Sequence, residues 1–225
     1  MRAALPAATM PAAQRYTRGE LIADRCVHIL GMCAAVGACA VLLAPGQRPD
    51  DITARAALGL YAFGLITMLG CSALYHLARE GHAKALLRRF DHAAIFVMIA
   101  GTYTPVTALA LPGMWGGALL AAIWAGAIAG AALKILTPSR FERLSIVAYL
   151  LLGWAGVMMF RPLADAVPAR DIVLLAAGGG LYTLGVVAHL STSVRYHNAL
   201  WHAFVVIAAG CHFAAIYNIA AAPAG

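Results

Sequence analysis

Apolar residues run in seven long blocks, at 24–44, 56–78, 91–111, 114–136, 145–161, 172–190 and 200–222. About 20 apolar residues in a helix cross the hydrocarbon of a bilayer, so each block predicts one transmembrane helix. The fifth is the shortest, and the count falls to six if it fails to insert. Breaks are expected at Pro45-Gly46, Arg79 to Arg89, the tight hairpin Pro112-Gly113, Thr137 to Arg140, Arg161-Pro162 and Ser191 to Arg195. The predicted fold is therefore all-α, a polytopic seven-transmembrane bundle over 21–225. Residues 1–20 form a short cytoplasmic tail, with Glu20 to Asp24 lying along the membrane surface. This tail has no continuous apolar core and cleavage site, which argues against a secretory signal.

Charge sets the orientation. Arg2, Arg15, Arg18, Arg25, Arg79, Lys84, Arg88, Arg89, Lys134, Arg140, Arg143 and Arg195 fall on the side of the N-terminus; only Arg48, Arg55, Arg161 and Arg170 fall opposite. Twelve against four places the N-terminus in the cytoplasm. Composition agrees with the membrane class: 63% of residues are hydrophobic and 11% charged, where a soluble domain carries roughly a quarter charged. The net charge of +7 lies between apolar blocks, where topology and anionic headgroups explain it, so nucleic-acid binding is excluded. The five cysteines all fall inside apolar blocks, and no disulfide framework follows.

Polar residues are sorted by depth. His28, His76, His82, His92, His189, His197 and His202 lie near cytoplasmic helix ends, with Asp24 and Asp91, and only His212 is near mid-membrane. An ion path needs polar lining at all depths, so this layer suits a shallow pocket open to the cytoplasm. Ser72 and His76 share a helical face, as do Asn198 and His202, while Asp91-His92 opens the third helix. Convergence of His76, Asp91 and His202 would offer a zinc ion ligands and a base. The alternative is that each histidine is an interfacial packing residue, Asp91 a helix cap and Ser72 a backbone-bonded serine. Pro105 is expected to kink the third helix, and Gly178-Gly179-Gly180 to permit close helix approach.

The run CSALYHLAREGHAKALLRRFDHAAIFVMIAGTYTPVTAL, Cys71 to Leu109, and RYHNALWHAFVVIAAGCHF, Arg195 to Phe213, resemble the signature of the bacterial hemolysin III proteins. These group with the progestin and adipoQ receptors and the alkaline ceramidases. The resemblance implies a seven-helix bundle with zinc at its cytoplasmic side. Ser72, His76, Asp91 and His202 match the family pattern position for position. Asn198 stands where the family has a second histidine, and His197 precedes it, about 140° around the helix from His202. His76 and His202 are then the expected metal ligands, with His197 or Asn198 third, Asp91 or His92 completing the shell otherwise. Asp91 is the expected base, and Ser72 orients water or the substrate carbonyl. The activity implied is zinc-dependent hydrolysis of a lipid amide, ceramidase-like, by an integral protein of the bacterial cytoplasmic membrane. The alternative is a non-enzymatic receptor-like or membrane-sensing protein with a structural metal. Pore-forming hemolysis is a third reading, disfavoured because no polar stripe crosses the bilayer.

Overall fold

The computed structural model describes residues 16–44, 51–137 and 141–222. The expected breaks at Pro45-Gly46 and Pro138 to Arg140, and residues 1–15 of the expected tail, lie outside the described residues. Seven helical spans are present among those described. They are α1 (Arg18–Leu42), α2 (Ile52–Leu77), α3 (His82–Ala110), α4 (Met114–Leu136), a composite fifth span, α7 (Ala169–Leu190) and α8 (His197–Ala221). The fifth span comprises α5 (Glu142–Trp154), a 3₁₀ segment (Ala155–Met159) and α6 (Phe160–Ala166).

Several helices extend past the apolar blocks. α1 begins six residues before Asp24, where Thr17 and Glu20 form a reciprocal capping box: each side chain accepts from the other's backbone N–H. α3 begins at His82, so Lys84, Arg88 and Arg89 are helical, and Asp91 and His92 sit in its third turn. Hydropathy stops where a helix leaves the hydrocarbon; backbone hydrogen bonding does not. The break expected at Arg161-Pro162 is absent. Pro162 lies in the first turn of α6, where no intrahelical N–H is required of it. The interruption falls earlier, in the 3₁₀ segment. There the hydroxyl of Tyr103 donates to the Gly153 carbonyl (2.9 Å) and accepts from the Gly156 N–H (2.6 Å).

The spans close a ring in chain order, α8 packing back on α1, while α3 and α8 also meet across the middle. α2 and α3 are the inner helices: 50% and 56% of their apolar windows is buried, against 6% for the fifth span. α2 and α3 approach closely at glycine. A Cβ on Gly64 would stand 3.3 Å from Val97 O and one on Gly101 3.1 Å from Leu60 O. Pro105 is accommodated inside α3. Pro112-Gly113 makes the tight α3–α4 connection, with Gly113 at φ 115°. Large side chains such as Ile22, Leu30, Phe63, Trp115, Leu151 and Val173 face outward, as helices bathed in lipid require.

Candidate metal centre

Three helices converge at the end of the bundle where α1 and α8 begin. Glu20 ties those two starts together, since beyond capping α1 its carboxylate accepts from the Tyr196 N–H at 3.2 Å. Tyr196 has a left-handed backbone (φ 63°), which turns the chain into α8 at His197. In the second and third turns of α1, Asp24 and His28 are buried on the same face. His202 is buried one turn inside α8, and His76 is near the end of α2.

Asp24 occupies the centre of this meeting. Its Oδ1 accepts from His202 Nδ1 at 2.6 Å, and its Oδ2 lies 3.3 Å from His76 Nδ1 and 3.7 Å from His28 Nε2. The imidazole centroids are 4.3 Å (His28–His202), 4.5 Å (His76–His202) and 5.0 Å (His28–His76) apart. One ligand atom from each of the four residues lies within 4.8 Å of every other. This buried group can coordinate a metal ion.

Two observations test that fit. His28 Nε2 is buried without a hydrogen-bond partner among the described residues, because 3.7 Å is too long for one. An ion would satisfy that lone pair. Ligands about 2.0–2.1 Å from a tetrahedral zinc stand about 3.3 Å from one another, and Asp24 Oδ2 is 3.3 Å from His76 Nδ1 and 3.7 Å from His28 Nε2. Imidazole and carboxylate donors suit zinc among the divalent ions.

A cavity of ≈ 480 Å³ adjoins the group, with His28, His76, His92, His189 and His202 in its walls. Five of the eight histidines thus share one cavity. Asp91 and Ser72 line it too, their side chains adjacent. Arg88, ion-paired with Glu142, stands on the wall with Lys134 and Arg143. Of the residues expected from sequence, His76 and His202 lie in the four-residue group, whereas His197 and Asn198 do not. The buried His197 ring directs Nδ1 to the Val194 carbonyl (3.2 Å) and packs on Tyr16. The Asn198 amide donates to the Tyr16 hydroxyl (3.2 Å). His92 remains in the cavity wall, its carbonyl accepting from Tyr149.

Comparison with known proteins gives this layout its relatives. The family model described as "Haemolysin-III related" matches residues 23–213. The chain belongs to this family. Haemolysin-III related proteins lie within the wider superfamily of seven-helix membrane proteins related to the progestin and adipoQ receptors, and this chain is accordingly an integral membrane protein. It is 32% identical to "Hemolysin-3" of Bacillus cereus over 83% of its own length and 85% of that protein's. It is 30% identical to the "Hemolysin-3 homolog" of Bacillus subtilis, over 85% and 90%. A human relative, "Monocyte to macrophage differentiation factor", is 26% identical over 92% and 88%.

The residues not anticipated as ligands are Asp24 and His28. A signal for them exists in the chain: Asp24 and His28, Ser72 and His76, and Asn198 and His202 are all a polar residue followed four later by histidine. Three helices carry the same pair, and all three histidines enter the group.

Proposed function

We propose that this haemolysin-III related protein is a zinc-dependent hydrolase of a lipid amide, acting at the cytoplasmic face of the membrane. The twelve-to-four asymmetry of Lys and Arg supports that placement of the N-terminal end. One observation carries the reading: the three histidines of the group line one cavity together with Asp91, Ser72 and several apolar side chains. His28, His76 and His202 hold the zinc. Asp24 belongs to the same donor set and fixes the His202 ring through Nδ1.

When bound, the zinc supplies a Lewis acid for the amide carbonyl. Asp91 takes a proton from the attacking water as its oxygen bonds to the carbonyl carbon. The Ser72 hydroxyl orients the water or the carbonyl oxygen. Asp91 then returns the proton to the departing nitrogen as the C–N bond breaks, leaving a fatty acid and an amine. The apolar walls formed by Met68, Ile95, Tyr149 and Val186 hold the acyl chain and keep bulk water from the reacting carbonyl.

A second reading draws on the same group. Four donors can close a tetrahedral shell, as in structural zinc sites, and here they would tie α1, α2 and α8 together in a receptor-like protein. Metal content and acid release from ceramide and simpler N-acyl amines, measured on the same preparation, separate the two. The hydrolase reading expects one zinc per chain with release, and Asp91→Asn retaining zinc while losing about 10²–10⁴-fold in rate. Stoichiometric zinc with no release from any of these amides supports the structural reading instead.

A further inference from the structure

Beyond the metal cavity, a smaller cavity of ≈ 90 Å³ opens between α3, the fifth span, α7 and α8. Met68, Tyr149, Tyr182 and Trp201 line both, so the two spaces are continuous in their walls. The smaller one is mostly apolar, and most of its polar side chains are already engaged. Thr102 donates to Met98 O, Tyr103 to Gly153 O and Thr183 to Gly179 O, while Trp154 donates to Thr183.

Two residues of that wall each carry a buried polar atom with no partner among the described residues: Tyr182 Oη and His212 Nδ1. Their rings are 5.5 Å apart at 60°. Each such atom costs free energy unless something bonds to it. His212 Nε2 lies 3.1 Å from the Leu175 carbonyl, which can only accept, so Nε2 carries the hydrogen. In a neutral imidazole Nδ1 is then an acceptor that needs a donor. Tyr182 Oη can donate or accept. A ligand carbonyl or carboxylate could satisfy the tyrosine alone. A hydroxyl satisfies both, donating to His212 and accepting from Tyr182. A lone water wants two to four polar partners in a roomy polar site, whereas a hydroxyl carried on a hydrocarbon chain also fills the apolar walls.

We propose that Tyr182 and His212 form a hydroxyl-recognition subsite for a lipid chain bearing an alcohol far from its polar head. His212 is ten residues along α8 from His202, about 15 Å on a helical rise. The recognised hydroxyl therefore lies well down the chain, not beside the carbonyl. The inference rests on the cavity holding an acyl chain, as proposed above, but needs neither zinc nor hydrolysis.

The test is displacement of a fluorescent fatty acid from the purified full chain in nanodiscs, with and without chelator. Ricinoleic acid, hydroxylated in mid-chain, is expected to bind about tenfold tighter than oleic acid, the gain of one net hydrogen bond. Its O-methyl ether, unable to donate to Nδ1, should lose most of that gain, and Tyr182→Phe should shrink the ratio of ricinoleic to oleic affinity. Equal binding of ricinoleic and oleic acids, or a preference that survives both O-methylation and Tyr182→Phe, overturns the subsite. The ether comparison needs no variant, so it decides the matter even if Tyr182→Phe misfolds. Loss of hydrolysis with the preference intact would sink the hydrolase and spare the subsite.

Discussion

At the scale of residues, the centre depends on one carboxylate held among three imidazoles. Asp24 is buried and reaches His28, His76 and His202 from a single position. Removal of any one histidine leaves an incomplete donor set, so His28→Ala, His76→Ala and His202→Ala should each lose the metal. Asp24→Asn keeps the shape but removes the charge, and affinity should fall about 10–100-fold. His197→Ala and Asn198→Ala should retain it, since His197 is directed to Val194 O and Asn198 to Tyr16. Elemental mass spectrometry of the purified variants, with competition against a chelating dye, measures all of these. Retention of full zinc in His28→Ala, with loss in His197→Ala, would return the third ligand to α8. Asn198 alone argued that the family's pattern was incomplete. That α1 brings candidate donors in its place required knowing which helix stands beside α8.

At the scale of elements, a polar contact among the described residues joins α7 and α8 at the end remote from the four-residue group. Asp171, 1% exposed at the start of α7, accepts from the Asn218 amide of α8 at 2.6 Å. Arg170 comes only to 3.7 Å and is itself mostly exposed. Asn218→Leu therefore removes a hydrogen bond from a buried carboxylate and should cost about 1–3 kcal/mol. Denaturant unfolding in mild detergent reads this, and an unchanged midpoint would mean the pair contributes nothing net. α7 and α8 also pack closely, since a Cβ on Gly178 would stand 2.3 Å from the His212 ring and 3.1 Å from Ala208 O. The central glycines of the expected Gly-rich stretch do not act alike: a Cβ on Gly180 would meet nothing within 4 Å.

At the scale of the whole molecule, a metal held by this group would be linked to the fold. A group spanning α1, α2 and α8 joins the first helices to the last, and an ion that binds only the folded bundle stabilises it by mass action. Stripping with a chelator should lower the melting temperature of the unmutated chain and leave that of His76→Ala unmoved, as scanning calorimetry would show. Equal melting temperatures before and after metal removal would mean the helices do not need the ion. The number of spans, their approximate limits and the gathering of histidines toward one end of the bundle were legible in the sequence. Hydrocarbon thickness and the cost of burying charge act on each segment separately, so a one-dimensional pattern records them. Helix ends were less legible: α1, α3 and α8 run past the apolar blocks because capping and backbone bonding, not hydropathy, end a helix. The ligand set was legible only in part. His76 and His202 stood out by motif, but Asp24 and His28 became ligand candidates only once α1 closed the ring against α8. Which helices are neighbours, and which faces they turn to one another, is set by packing between segments far apart in the chain. The lipid environment constrains each span identically and leaves that choice to tertiary structure.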